Sequence, residues 1–102
     1  MNTYSIKDEN FVVIQGWMVT ELKLKDDELM IFAIIHGFSG GTQYYPENLD
    51  YFAGWIKGTK QRATKVLRSL EEKNLIEKIE QHINGTMFYC YRTIRRSFCQ
   101  DK

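Results

Sequence analysis

Gln61, Lys65 and Arg68 stand four and three residues apart in a segment that also repeats Ala63, Val66, Leu67 and Leu70. At about 100° per residue the apolar four share one side of a helix over residues 59–73, and the polar three share the other. A glutamine amide bonds bidentately to an adenine edge, and arginine or lysine to guanine, so the triad has the chemistry of base reading in a major groove. Thr64 and Ser69 stand beside it. Thr59, Lys60 and Arg62 open the helix, where free amides and the helix dipole favour anions, and are expected on phosphates. Glu71 and Glu72 are expected outside the groove. A solvated amphipathic helix carries the same kind of face, so the assignment turns on what surrounds it.

Other chemistry is poorly represented. His36 falls in an apolar segment and His82 near a turn, and no acid, base and nucleophile cluster in the sequence, so no enzyme is expected. His82, Cys90 and Cys99 lack the paired spacing of zinc motifs, so neither metal nor cofactor is expected. Two cysteines are too few for a disulfide framework and suit a reducing compartment. Trp17, Trp55, Tyr44, Tyr45 and Tyr51 are expected to serve as core or interface aromatics rather than as base-stacking platforms. Residues 1–10 lack the basic start and apolar run of a secretory signal, and the longest apolar run, residues 29–35, is far below the roughly 20 residues of a membrane span. A cytoplasmic protein is expected.

The surrounding elements make the basic face more specific. Leu49, Phe52, Ala53 and Ile56 fall at i, i+3, i+4 and i+7, one face of a short helix with Asn48 as its cap. Lys57-Gly58 forms a tight turn into the basic helix. Residues 75–83 and 86–93 flank Asn84-Gly85, the dipeptide best suited to a type I′ hairpin turn. A two-residue loop pairs Ile83 with Thr86, Gln81 with Phe88 and Ile79 with Cys90, and Ile79, Phe88 and Cys90 are expected to face the helices, with Lys78, Tyr89 and Tyr91 outward.

Upstream, three carboxylates at 26–28 precede an apolar run to His36 that reads as the central buried helix, ended by Gly37 and the Ser39-Gly40-Gly41 cluster. Residues 42–45 are a short strand candidate. Residues 11–14 read as a strand or extended arm, and residues 16–22 as two turns of helix with Met18 and Leu22 on one face. The expected fold is α+β, a winged helix-turn-helix with a three-helix core, a β-hairpin wing and an extra N-terminal strand and helix. Residues 1–25 form the extension, 26–93 the DNA-binding domain and 94–102 a basic tail.

The formal charge of +1 conceals a division. Residues 1–56 hold 3 basic and 8 acidic side chains, and residues 57–102 hold 11 and 5. Such polarity suits a protein that offers one side to phosphates. The hairpin tip carries no lysine or arginine, so Asn84 is its candidate contact and Arg95 and Arg96 are the candidates in the tail.

Residues 11–18, FVVIQGWM, with residues 28–39, ELMIFAIIHGFS, and residues 67–76, LRSLEEKNLI, resemble the amino-terminal domain of replisome organisers from phages and prophages of Gram-positive bacteria. The likeness spans about residues 11–92. Such domains are similar to the amino-terminal part of DnaD-type primosomal proteins, in which a winged helix with added elements also supports self-association. The resemblance implies recognition of an origin region on double-stranded DNA in mobile-element replication. Helicase loading and contacts with replication proteins would fall to a carboxyl-terminal domain absent from this chain. Two other uses of the fold stay open: a transcriptional regulator of a mobile element, and a protein interaction module forming a homodimer or higher oligomer through Trp17, Met18 and the tyrosines.

Overall fold

A computed structural model describes residues 9–39 and 44–94. It contains α1 (Gly16–Thr20), α2 (Asp26–Ser39), β1 (Tyr45–Pro46), α3 (Leu49–Ile56), α4 (Lys60–Glu72), β2 (Ile76–Ile83) and β3 (Thr86–Thr93). The strands form one antiparallel sheet in the order β1-β3-β2. Among the described residues this is a small α+β domain of four helices and three strands.

α2 organises the core because its apolar side chains leave no solvent face in its middle. Ile31, Phe32, Ala33, Ile34 and Ile35 are all buried, and the helix packs against α1, α3, α4, β1 and β3. Met18 of α1, Phe52 and Ile56 of α3, Ala63, Leu67 and Leu70 of α4, and Leu75, Ile76 and Tyr91 complete the cluster. The helix continues through Gly37, the first part of its expected stop, and ends at Ser39, where the second part begins. A glycine inside a helix costs only about 1 kcal/mol relative to alanine. The Phe38 ring, edge-on to Tyr45 at 5.0 Å, anchors the last turn.

The amino-terminal segment is shorter in regular structure than its sequence suggests. Residues 11–14 form no strand, and α1 spans five residues rather than two full turns. Val12 packs on the core, while Phe11, Val13 and Ile14 remain 78%, 52% and 45% exposed. β-Branched composition alone does not make a strand when no neighbouring edge offers hydrogen bonds. Of the strand expected at 42–45, Tyr45 pairs as part of β1, Tyr44 lies outside the ladder, and Thr42 and Gln43 fall outside the described residues.

The hairpin has the expected register, Ile83 opposite Thr86, Gln81 opposite Phe88 and Ile79 opposite Cys90, with Asn84 and Gly85 at φ 52° and 80°. Both positive angles fit a type I′ turn. Its facing, however, is the reverse of the expectation. Leu75 and Ile76 enter the core directly from the end of α4, and the pleat then commits Thr93, opposite Ile76, and Tyr91, opposite Lys78, to the helix side. Their polar atoms are met there: Tyr91 Oη donates to Glu47, and Thr93 Oγ1 lies 2.8 Å from His36 Nδ1. Phe88 is 44% exposed on the opposite face, where Cys90 is covered as it pairs with Pro46. Lys78 does stay at the surface, over the Tyr89 ring.

Candidate nucleic-acid interface

The turn between α3 and α4 sets the direction of the candidate helix. Asn48 caps α3 by accepting the Tyr51 amide at 3.2 Å. The chain leaves α3 through Lys57, which adopts the left-handed conformation (φ 54°, ψ 46°), and Gly58 N donates to the Ala53 carbonyl at 3.0 Å. The residue in the glycine-favouring conformation is thus Lys57, while Gly58 leaves room for another side chain. A Cβ at Gly58 would come within 2.9 Å of Arg62 Cδ. Thr59 then caps α4, its hydroxyl accepting the Arg62 amide at 3.1 Å.

α4 buries Ala63, Val66, Leu67 and Leu70 against α2, α3 and β2. Gln61, Lys65 and Arg68 are exposed on the other side. Lys65 and Arg68 make no ion pair among the described residues. Thr64 is half-buried beside them and its hydroxyl donates back to the Lys60 carbonyl at 3.0 Å. Glu72, expected outside the groove, is exposed and at about 100° per residue falls within roughly 20° of Gln61 on the same stripe, at its carboxyl-terminal end. The stripe therefore runs from neutral and basic at its amino-terminal end to acidic at its last turn.

The opening residues behave differently from the stripe. Thr59 is occupied as the cap. Lys60 Nζ lies 3.5 Å from Asp50 Oδ1, a pair at the surface. Arg62 places both Nε and Nη2 on Asp27 Oδ2, at 2.7 and 2.6 Å. About two and three turns further along the same flank, Ser69 Oγ donates to Glu28 Oε2 and Lys73 Nζ to Glu28 Oε1, each at 2.6 Å. Burial raises the Glu28 carboxyl, but the hydrogen bonds from Lys73 and Ser69 and the lysine charge outweigh it and hold the group below its ordinary value.

Sequence reasoning therefore located the exposed face and missed its acidic flank. The signal was present, since residues 26–28 are three consecutive acids; their charge suits the start of α2, but which helix flank they meet depends on tertiary packing. Asn84 is exposed at the hairpin tip, accompanied by exposed Ile83, Met87 and Phe88. Arg95, Arg96 and Cys99 lie outside the described residues. Of the remaining candidates, His36 stacks on Phe32 and meets Trp17 edge-on, His82 stands 4.0 Å from Glu80 at the surface, and Cys90 is a buried free thiol. Among the described residues no helix is long and apolar enough to cross a membrane.

A two-helix unit with an uncovered basic stripe, set beside a β-hairpin, is the class of site that the geometry defines. No protein family, curated protein or solved structure matches the chain.

Proposed function

We propose that this chain is a winged helix-turn-helix domain that binds double-stranded DNA in a sequence-specific manner, with α4 in the major groove. The observation that carries the reading is the uncovered stripe of Gln61, Lys65 and Arg68 on a helix whose other sides are held by α2, α3 and the sheet. Those three residues read bases, Thr64 supports them, and Thr59, Lys60 and Arg62 face the phosphates at the start of the helix. The hairpin, without a cation at its tip, contributes Asn84 at most, and Arg95 and Arg96 are the tail's candidate phosphate contacts. The resemblance of residues 11–18, 28–39 and 67–76 to phage replisome organisers favours origin recognition during mobile-element replication; operator binding by a transcriptional regulator would use the same surface.

The test is binding to labelled random duplex at several salt concentrations. Non-specific affinity on the order of 10⁻⁴ to 10⁻⁶ M near physiological salt is expected, falling steeply as salt rises. A Lys65→Glu, Arg68→Glu variant should bind more weakly, because it reverses two charges on the face that meets the polyanion. Equal binding by the two proteins rejects the reading. Selection from a pool of random duplexes then identifies the preferred site.

A second reading has its own observation. Met18 and Tyr91 of the oligomer surface expected from the sequence are buried in the core, but Phe11, Val13, Ile14 and Val19 are exposed apolar side chains along the amino-terminal segment, which suits contact with a second copy of the chain. Light scattering separates the two: a monomer at high concentration, unchanged by Phe11→Ser, removes the oligomer.

A further inference from the structure

Arg62, with Lys60, is one of the cations that open α4, yet its guanidinium is held within the molecule. Its side chain lies across Gly58, and its Nε and Nη2 both reach Asp27 Oδ2, at 2.7 and 2.6 Å. The side chains of Arg62 and Asp27 are 53% and 23% exposed. With Arg62 half open to water, the pair is weak enough to yield to a phosphate held in register beside it. A phosphate is the better partner, because it takes two charge-assisted hydrogen bonds from one guanidinium at a helix end that itself attracts anions. Lys65 and Arg68, on the stripe, carry no such restraint among the described residues.

We propose that Asp27 is a specificity-determining residue of this face: it withholds Arg62 from the DNA backbone until a duplex is fully seated, when Arg62 exchanges Asp27 for a phosphate. The inference rests on the DNA-binding reading of α4. Its physical logic follows from how the two kinds of binding scale. Non-specific affinity rises with the number of phosphates neutralised, whereas base reading by Gln61, Lys65 and Arg68 does not. A loosely docked duplex holds no phosphate in register with Arg62, and the pair to Asp27 stays closed. Loose binding is weakened by one contact, and the seated complex recovers it.

The experiment is a double-mutant cycle on labelled random duplex with wild type, Asp27→Asn, Arg62→Met and the double variant, each across a salt series. Asp27→Asn should raise non-specific affinity by roughly twofold to fivefold, the equilibrium equivalent of a surface ion pair. It should also steepen the logarithmic salt slope by about 0.9, the signature of one added phosphate contact. In the Arg62→Met background the same change should have much less effect. An equal gain in both backgrounds overturns the proposal, because Asp27 then acts only as a bulk negative charge. A loss of affinity in Asp27→Asn also overturns it, because Asp27 then orients Arg62 for DNA instead of withholding it. Thermal melts accompany each variant, and Asp27→Ser repeats the test with a different neutral side chain if Asp27→Asn fails to fold. If Lys65→Glu, Arg68→Glu leaves binding unchanged, the DNA reading itself falls; if that variant weakens binding and the cycle shows no coupling, only the withholding of Arg62 by Asp27 falls.

Discussion

The Tyr91 hydroxyl donates to Glu47 Oε2 at 2.8 Å from a residue only 2% exposed, tying the centre of β3 to the segment between β1 and α3. Removing the hydroxyl alone, in Tyr91→Phe, should destabilise the domain by about 1.5 to 3 kcal/mol, since the hydrogen bond reaches a carboxylate. Urea unfolding measures it, and a variant as stable as wild type would show the bond to be without net value.

Tyr45 and Tyr91 should titrate late. Burial, with the neighbouring Tyr51, pushes the Tyr45 phenol up to about 12, and burial with the Glu47 hydrogen bond drives Tyr91 higher still. The folded state prefers both rings neutral, so this stability is whole below the ordinary phenol value near 10 and is lost as pH rises through the folded value. Ultraviolet titration should show some phenols ionising late, in step with loss of circular dichroism. Uniform ionisation near pH 10 in a folded protein contradicts the burial of these rings.

At the acid end the sign reverses. Glu28 is held below the ordinary glutamate value by Lys73 and Ser69 despite the opposing effect of burial. Its contribution is therefore present above the ordinary glutamate range and disappears as pH falls through the depressed value. Glu28→Gln should flatten the acid limb of a plot of unfolding free energy against pH. Parallel limbs in wild type and variant would mean that the Glu28 network has no stabilising role.

The turn offers a gain instead of a loss. Lys57 adopts φ 54°, a region that disfavours residues with a Cβ by roughly 1 kcal/mol or more. Lys57→Gly should raise stability by about 0.5 to 1 kcal/mol, visible as a higher denaturation midpoint at unchanged slope. A lower midpoint would indicate that the lysine stem makes a contact worth more than the backbone strain.

The parts of the fold that were legible in the sequence are those set by local rules. The caps Asn48 and Thr59, the buried positions of α3 and α4, and the register dictated by Asn84-Gly85 all depend on neighbours within a few residues. What misled was decided at a distance. The facing of the hairpin follows from Leu75 and Ile76 being buried in the core at the end of α4, and both of its faces carry apolar residues, so alternation alone could not choose. Arg62 and Lys60 read as free cations because Asp27 and Asp50 lie on other helices. Gly37 read as a stop because nothing local announces the ring contact that holds Phe38.

Pro46 stands opposite Cys90 at the outer rim of the sheet, in a strand only two residues long. Proline has no amide hydrogen to offer an incoming chain, so this rim supplies no template on which neighbouring molecules could zip together. The opposite rim is β2, which interposes Glu77, Lys78 and Glu80 along its length. Among the described residues, charge lies along one edge of the sheet and a missing donor on the other, a combination that disfavours growth through strand pairing.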